Sequence, residues 1–582
     1  MGGPVTLVSS LERMPSRMIS LKAIRTIRSW GNEPVKLAIM LAVAILLCAL
    51  IVYPIGLLVK FGLTDKDGSF SIKTLFTAFS QPGMAKACLN TISLALLVCL
   101  GANIIALPMA WLVTRTDMPC KAFVRVGVAL AFVIPSFVTV IAWIFLASPN
   151  SGYLNKAARQ FLGIDGPLLD IVSFGGLVFV EASHLFPLIF FAVSTALANI
   201  DPSQEQAARV LGAGRFRVMA SITLPLVTPA IVSGTMLVLL DSISSFGAPM
   251  AIGTMANFSV LTTKIYAMLS FPPHLELAAA ASLPIVLVTL LCLALQRRLT
   301  GANRYRTISG KLGAAAPERL GRARWPAFLL CLAVIFVTAL LPLLALVALA
   351  LLKAFGLPLT WANMTFRNFE MIANPSRSTF PTISHSFLLA SATSFACVTI
   401  GLVCAWFVER STIIGRGVVS VVIMVTYGFP AVAFAVAIML GYINLLYGTF
   451  TIIGIAYVAK NLPVAFVFFR SAFKQLSVEL EEAARVVGAS WGVTMLHISL
   501  PLLKTSAWSA ALLVFAVALR ELSMSAILSQ PGTEVMSTQV LDYVETGAIE
   551  LAAAMALIIV VLSIIALTAM RLIAGRNPIE AK

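Results

Sequence analysis

Twelve long apolar runs constrain this chain more than any other feature of its sequence. Each run holds roughly 20 residues, the length that an α-helix needs to cross a lipid bilayer. Only 11% of the 582 residues are charged, against about 25% in soluble proteins, so a soluble multidomain enzyme is excluded. The bilayer core offers no water, so each run must satisfy its own backbone hydrogen bonds as a helix. We therefore predict an all-α polytopic membrane protein with spans centred on residues 37–59, 90–113, 126–147, 171–197, 227–250, 278–296, 326–352, 384–408, 417–443, 451–470, 503–528 and 551–572.

The basic residues lie beside the apolar runs. The formal net charge is +17. Residues 1–36 hold six basic and two acidic residues, and residues 297–324 hold eight basic residues and one acidic residue. Basic residues of membrane proteins collect in cytoplasmic segments, so we predict cytoplasmic N- and C-termini, the lipid bilayer as surroundings and no nucleic-acid partner. The predicted cytoplasmic segments are an N-terminal tail (1–36), a basic linker (298–325) and a C-terminal tail (576–582).

An internal repeat defines the domains. Gly212 and Gly488 are as far apart in the sequence as Pro225 and Pro501. We call the separation between equivalent residues of the two halves the repeat offset. Earlier in each half the repeat offset is larger, as between "AWLVTR" at Ala110 and "AWFVER" at Ala405. Six spans in each copy is an even number, so both copies have the same orientation in the membrane and form a parallel duplication. We predict a first permease-like half over 37–297, with a core at about 84–296, and a second half over 326–575, with a core at about 381–572.

A polar segment follows the fourth span of each half. These two segments, the polar loops, read "SQEQAARVLGAGRFRVMASITLP" (203–225) and "LEEAARVVGASWGVTMLHISLP" (480–501). Acidic residues suit a helix N-terminus, and the glycine after each Ala-Ala-Arg-Val allows a turn that ends the helix. The later proline suits the first turn of the next membrane helix. We therefore predict a short helix, a sharp turn and a second helix at the cytoplasmic membrane surface; the alternative is an idle amphipathic connector.

Both polar loops resemble the EAA loop of binding-protein-dependent ABC importer permeases. The shared features are an EAA triplet, a glycine and a later I-x-L-P, and the resemblance extends from the second span to the twelfth. In that family the short helix is a coupling helix that sits in a groove of a separate ATPase subunit. The resemblance implies these docking residues: Glu205, Gln206, Ala207, Ala208 and Gly212 in the first loop, and Glu481, Glu482, Ala483, Ala484 and Gly488 in the second.

The resemblance also implies the partners and the location. The implied partners are two ABC ATPase subunits that bind ATP and Mg, and a periplasmic substrate-binding protein. The implied location is a bacterial inner membrane. Gln206 departs from the triplet, where glutamate is usual, and it lacks that charge. Whether the two ATPase contacts are equivalent is therefore open.

We expect the chain itself to be a transport subunit and not an enzyme. It contains no G-x4-G-K-[ST] phosphate loop, since "ISGKLG" lacks the upstream glycine. Four histidines and no clustered carboxylates predict no metal site. No catalytic residue and no bound cofactor are predicted, and ATP hydrolysis is assigned to the partner ATPase.

Charged residues inside spans are expensive, and they often mark transport pathways. Span five contains "LLDSISSFGAP" and span eleven contains "FAVALRELSMS". Adjacent residues of a helix point about 100° apart, so Arg520 and Glu521 cannot simply neutralise each other. A structural polar contact between helices is the alternative. The predicted pathway residues are Asp241, Ser244, Ser245, Arg520 and Glu521, with Glu181 and His184 as further candidates.

The fused arrangement most resembles the permeases that import iron(III) or 2-aminoethylphosphonate. In the iron(III) class, span five often carries an acidic-Phe-Gly-x-Pro stretch, whereas this chain has Ser245 at the acidic position and Asp241 one turn earlier. We expect iron(III) as the substrate, with 2-aminoethylphosphonate or another small polar solute as the alternative. A secondary transporter with two parallel repeats is the competing class, and it would need no docking loops.

Overall fold

The computed structural model describes residues 34–65, 69–164, 166–270, 272–299, 318–374, 379–411 and 415–574. Most of the predicted N-terminal tail, the middle of the predicted linker (300–317) and the predicted C-terminal tail lie outside these residues. The described residues form helices joined by short turns, with three isolated β-bridges. This confirms the predicted all-α membrane fold.

The helices of the first half are α1 (Pro34–Leu47), α2 (Tyr53–Gly62), α3 (Lys73–Phe79), α4 (Met84–Arg115), α5 (Lys121–Val133), α6 (Ser136–Ala147), α7 (Tyr153–Leu162), α8 (Phe174–Ala198), α9 (Pro202–Val210), α10 (Arg215–Val218), α11 (Leu224–Ser244), α12 (Gly247–Ala256), α13 (Leu261–Leu269) and α14 (Leu275–Leu299). Those of the second half are α15 (Arg324–Ile335), α16 (Leu341–Ala350), α17 (Arg367–Ala373), α18 (Thr379–Arg410), α19 (Arg416–Gly428), α20 (Ala431–Leu446), α21 (Phe450–Gln475), α22 (Val478–Val486), α23 (Trp491–Thr494), α24 (Leu500–Leu519), α25 (Ser523–Leu528), α26 (Met536–Glu545) and α27 (Ile549–Ala574).

In the part of the chain that the structure describes, ten of the predicted spans are helices long and apolar enough to cross a membrane. Their number rises to twelve if two bent helix pairs each count as one span. The ten helical spans are Ala38–Gly62, Met84–Arg115, Phe174–Ala198, Met219–Ser244, Leu275–Gln296, Gly321–Ala350, Phe380–Arg410, Phe450–Gln475, Gly492–Leu519 and Ile549–Ile573.

The predictions of one continuous helix over 126–147 and over 417–443 are wrong. Helices α5 and α6 meet at 96°, and helices α19 and α20 meet at 115°. The breaks fall at Pro135 and Pro430, because proline lacks an amide donor and disfavours a helical residue before it. Ile134 and Phe429 accordingly have extended backbones. Each break leaves the carbonyl groups of a helix C-terminus inside the protein.

Spans five and eleven also end earlier in the chain than predicted. The predicted ranges 227–250 and 503–528 each run across a break, because helix α11 ends at Ser244 and helix α24 ends at Leu519. The short helices α12 and α25 follow these breaks. Arg520 and Glu521 therefore lie at a helix end and not within a helix, which corrects the geometry expected for the pair.

Among the described residues, four five-residue π-helical segments lie within spans one, five, seven and eleven, at Cys48–Val52, Met219–Thr223, Phe336–Leu340 and Met495–Ser499. Each one precedes a proline at the start of the next α-helical segment. A proline inside an α-helix removes a hydrogen bond and clashes with the carbonyl four residues earlier, and a π-turn changes that local register. The prolines therefore lie inside continuous spans, and the repeat extends to this detail of the backbone.

The first span of each half packs against the other half. Helix α2 packs on α20, and helix α16 packs on α6. Tyr442 donates to the Ala49 carbonyl at 2.7 Å, and a side chain on Gly127 would come within 2.6 Å of Ile335. Residues Phe137–Ala147 of α6 are all buried. Buried residues therefore line the boundary between the two halves.

Candidate functional site

Helices α9 and α22 carry the EAA-like motifs, and their ends follow from local sequence. The Asp201 carboxylate accepts a hydrogen bond from the Ser203 amide at 2.9 Å. The Ser203 amide and hydroxyl together hold the pKa of Asp201 below its usual range. At the equivalent position of the second half, the Ser477 hydroxyl accepts from the Glu479 amide at 3.2 Å. These contacts cap free amides at the helix N-terminus.

Both short helices end at the predicted glycines. Gly212 and Gly488 each have a φ of +84°, a left-handed conformation that glycine adopts without steric cost. The predicted turns are therefore present. The following helix differs from the prediction, because α10 continues through its π segment into span five. It is the start of a span and not a separate surface helix.

The first glutamate of each motif faces its own chain. The Glu205 carboxylate pairs with Arg115 at the end of α4 and accepts from the Thr223 hydroxyl at 2.7 Å. The Glu481 carboxylate makes the equivalent contacts, with Arg410 at 3.2 Å and with the Ser499 hydroxyl at 3.2 Å. These glutamates tie the short helix to spans two and five of the first half, and to spans eight and eleven of the second.

The remaining motif residues divide between two faces. Ala484 is buried and Ala208 is half-buried, whereas the residues at the second and third motif positions are exposed. Two apolar residues after each motif are almost fully exposed. Val210 and Leu211 are each 87% exposed, and Val486 and Val487 are 87% and 83% exposed. The exposed faces are formed by Gln206, Ala207, Val210 and Leu211 in the first copy, and by Glu482, Ala483, Val486 and Val487 in the second.

Sequence reasoning missed the four exposed apolar residues. The signal was available, since an apolar pair stands directly before the glycine in both copies of the motif. Exposed apolar pairs at the tip of a rigid helix are a typical protein-contact surface. Each short helix thus has two sets of residues. One set holds the helix against its own chain, and the other forms its exposed face.

Replacing Glu481 with alanine should destabilise the protein strongly. The Arg410 side chain is only 7% exposed, and removing one partner of a buried ion pair costs about 3–5 kcal/mol. We expect a clearly lower melting temperature for the detergent-purified protein, measured by intrinsic fluorescence. The neighbouring Glu482→Ala is the matched control, because Glu482 is exposed and surface changes usually stay within about 0.5 kcal/mol. Equal melting temperatures for the two variants would contradict the inward role of Glu481.

The first polar loop has an additional contact that the second does not share in the described residues. Glu318, at the end of the predicted linker, pairs with Arg209 of α9 at 2.7 Å. Its amide donates to the Arg115 carbonyl at 2.8 Å, and its carbonyl accepts from the Asp117 amide at 3.0 Å. The linker is thereby attached to the first short helix.

A second group of polar residues lies where the broken helices meet the ends of α11 and α24. Arg520 donates to the carbonyls of Phe132 and Val133 at 2.8 and 3.0 Å. Lys460 of α21 donates to the Phe429 carbonyl at 2.5 Å and to the Thr426 carbonyl at 3.2 Å. Each basic residue thus caps the carbonyl end of one broken helix, where the helix dipole favours positive charge.

The repeat explains why the two broken helices are capped by residues that are not equivalent, Arg520 and Lys460. The repeat offset that relates Gly212 to Gly488 also relates His184 to Lys460, and Lys460 caps the broken helix of its own half. His184 interacts with the backbone of Ala131 and Ile134 at the end of its own broken helix, and it stacks on the Phe132 ring, with ring centroids 5.5 Å apart. Arg520 reaches across from the other half and lies over the same ring, at 5.2 Å. The first half therefore receives its capping cation from the second.

The acidic residues of this group have different partners. Glu181 is buried and accepts from the Ser245 hydroxyl at 2.7 Å. The Glu521 carboxylate accepts from the Met524 amide at 3.2 Å, and its carbonyl accepts from the Tyr457 hydroxyl at 3.1 Å. Tyr457 is the repeat counterpart of Glu181, at the same repeat offset, so the contacts in the two halves correspond.

Asp241 interacts electrostatically with Lys460 and Arg520. Its side chain is exposed, although protein atoms surround this position densely. We interpret this as a carboxylate that faces an internal space. Ser244 instead donates to the Leu240 carbonyl of its own helix at 2.8 Å. The structure brings Asp241, Arg520 and Glu521 together. It adds Lys460 and Tyr457, which sequence reasoning missed. Among the described residues, no group of three His, Cys, Asp or Glu side chains could hold a metal ion.

These features define a membrane permease built from two copies of one helical unit, each with an EAA-like loop. The family model for the "Binding-protein-dependent transport system inner membrane component" matches residues 102–305 and 397–577. The chain belongs to this family, and it is a fused permease of ABC importers with both copies of the domain in one polypeptide.

Several known proteins are similar to parts or most of the chain. The ferric transport system permease protein FbpB of Actinobacillus pleuropneumoniae is 24% identical over 540 residues, covering 90% of this chain and 77% of that protein. The molybdenum permease ModB of Escherichia coli K12 is 37% identical over 161 residues, covering 28% of this chain and 66% of ModB. The putative 2-aminoethylphosphonate permease PhnU of Salmonella paratyphi A is 27% identical over 210 residues, covering 36% of this chain and 72% of PhnU. A solved bacterial alginate importer aligns with a TM-score of 0.41 and 20% identity, covering 47% of this chain and 99% of that chain.

Proposed function

We propose that this permease imports iron(III), received from a periplasmic binding protein and driven by two partner ATPase subunits that bind ATP and Mg. One observation carries the substrate assignment: the similarity to the ferric permease FbpB extends over 90% of the chain. The similarities to ModB and PhnU cover 28% and 36% of it. The two permease halves are 37–297 and 326–575, with both termini and both polar loops in the cytoplasm.

The exposed faces of α9 and α22 are the proposed ATPase contacts. In the first half, Glu205 joins α9 to Thr223, and α11 then runs from Leu224 to Ser244. At 1.5 Å per residue, that helix carries a displacement about 30 Å to the central polar group. In the second half, Glu481 and α24 form the same connection, which ends at Arg520 and Glu521. ATP-driven movement of the short helices would therefore reach the proposed pathway along one helix in each half.

Asp241, Ser244, Ser245, Arg520 and Glu521 are the proposed pathway residues. Asp241 is the best supported, because its side chain is exposed and interacts electrostatically with Lys460 and Arg520 of the second half. A carboxylate suits a positively charged or metal-bearing solute. The second candidate substrate, 2-aminoethylphosphonate, is favoured by the similarity to PhnU.

Uptake into proteoliposomes tests the proposal. The vesicles hold the permease with its ATPase, enclosed ATP and Mg, and the external binding protein is loaded with radioactive iron(III). We expect iron accumulation that stops when ATP, the ATPase or the binding protein is omitted, and that a protonophore leaves unchanged. Molybdate and 2-aminoethylphosphonate are the matched alternative substrates. If one of them accumulates and iron does not, the iron assignment is wrong while the importer assignment stands. Uptake that survives without the ATPase and collapses with a protonophore would overturn both.

A further inference from the structure

Residues 318–320 of the linker lead directly into span seven. We call these three residues the linker end. Span seven begins at the next residue, Gly321, and runs to Ala350. A displacement of the linker end is therefore passed to the first span of the second half.

The linker end is paired with the loop that follows α4. The Glu318 amide donates to the Arg115 carbonyl at 2.8 Å, and the Glu318 carbonyl accepts from the Asp117 amide at 3.0 Å. The Leu320 amide donates to the Asp117 carboxylate at 2.7 Å. Thr116, which lies between the two partners in this loop, is fully buried. These hydrogen bonds hold the linker end against a buried part of the first half, so it is not a loose tether.

The same linker end also reaches the first short helix. The Glu318 carboxylate pairs with Arg209 of α9 at 2.7 Å. Glu205, one turn earlier on the same face of α9, pairs with the end of α4. Arg209 directly precedes the exposed Val210 and Leu211. Glu318 therefore holds the end of α9 that carries the exposed apolar pair.

Span seven packs against the broken helix of the first half. Helix α15 packs on α5, and helix α16 packs on α6. A side chain on Gly127 of α5 would come within 2.6 Å of Ile335 in span seven, so these helices are in close contact. The carbonyl end of α5 is also the place where Arg520 donates to Phe132 and Val133. Because closely packed interiors transmit displacement, movement of span seven bears on the central polar group.

We propose that Glu318 is a positioning residue of the first ATPase-docking site, and that it passes movement of α9 to span seven. The inference rests on the proposed function, in which α9 contacts an ATPase subunit. It adds a second route to the one along α11. The first route stays within the first half, whereas the second enters span seven and returns to the broken helix α5–α6. One ATPase contact therefore moves an element of each half.

Removing the Glu318 carboxylate tests this role. The measured quantity is the amount of radioactive iron(III) accumulated per ATP hydrolysed, in proteoliposomes with the complete permease–ATPase complex and the loaded binding protein. The Arg209 and Glu318 side chains are 44% and 24% exposed, and such exposed pairs shift an equilibrium by about fivefold at most. We expect Glu318→Ala to lower this ratio about two- to fivefold, with an unchanged melting temperature. Arg319→Ala is the matched control, because Arg319 is an exposed neighbour, and it should leave the ratio unchanged.

A charge exchange separates the attachment from a general effect of the mutation. Glu318→Arg should lower the ratio at least as much as Glu318→Ala, since it places two like charges together. Adding Arg209→Glu should restore most of the loss, because the exchanged pair attracts again. An unchanged ratio in Glu318→Ala would overturn the proposal. A Glu318→Ala complex with weaker ATPase binding and a normal ratio would overturn it as well, because Glu318 would then act on docking alone.

The unmodified complex distinguishes failure of this inference from failure of the proposed function. If it hydrolyses ATP without accumulating iron(III), the iron assignment fails, and molybdate or 2-aminoethylphosphonate replaces iron(III) in the same ratio. If its uptake continues without the ATPase, the importer assignment and the role of Glu318 fail together. Normal uptake by the unmodified complex with no effect of the Glu318 variants refutes the role of Glu318 alone.

Discussion

Changing Val486 and Val487 to aspartate is expected to release the ATPase subunit from the second half of the permease. Both valines are more than 80% exposed at the tip of α22, and burying a valine contributes about 1.5–3 kcal/mol. Since 1.4 kcal/mol corresponds to a factor of ten in affinity, losing both contacts and burying new charges should weaken binding at least about 100-fold. The dissociation constant of the purified ATPase for the permease in nanodiscs measures this effect.

Two variants make that result specific. Changing both valines to isoleucine keeps an apolar surface, so binding should stay close to that of the unmodified chain. Changing Val210 and Leu211 to aspartate tests the first copy in the same way. If the aspartate pair at 486 and 487 binds the ATPase as tightly as the isoleucine pair, the contact surface lies elsewhere.

The comparison of the two copies also addresses Gln206. Glu482 is its equivalent, and both side chains are exposed, so the missing charge lies on the proposed contact surface. The attachment of Glu318 to Arg209 adds a second difference on the first side. We therefore expect the aspartate pairs at the two copies to weaken ATPase binding by different factors.

Local patterns predicted the short helix and the glycine turn of each polar loop, but not that the following helix is the start of a span. A glycine after a short helical motif requires no distant partner to make a turn, and Gly212 and Gly488 adopt the same left-handed conformation. The repeat and the apolar runs likewise depend only on spacing and composition. The turns, the repeat and the apolar runs can therefore be predicted from the sequence without knowledge of the tertiary structure.

The central polar group could be predicted only in part. Apolar content does not show where a span bends, so it predicts continuous helices across Pro135 and Pro430. The contact of Arg520 with Phe132 joins residues 388 positions apart, and no local pattern signals it. Comparing repeat positions would have identified Lys460 through its counterpart His184, because both lie on the fourth span of their half.

Replacing Arg520 with leucine is expected to abolish transport and to lower the melting temperature. The change leaves the Phe132 and Val133 carbonyls without their donor and removes a charge that interacts with Asp241 and Glu521. Loss of one member of such a buried charged group costs about 3–5 kcal/mol. Uptake by proteoliposomes and thermal unfolding of the purified protein measure the two effects. If neither changes, Arg520 has no essential role at this position.

The repeat supplies a rescue experiment for this variant. In the second half, Lys460 caps the broken helix of its own half, and position 184 is the equivalent place in the first half. Adding His184→Lys to Arg520→Leu should therefore restore much of the melting temperature, because an ammonium from α8 can reach the carbonyl end of α5. Arg520→Lys alone is the matched comparison, since it keeps the charge on the second half. Recovery with lysine at 184 would show that the first half needs a cation at its broken helix, whichever half supplies it. Recovery with Arg520→Lys and not with His184→Lys would show instead that the cation must come from the second half and join the halves across their boundary.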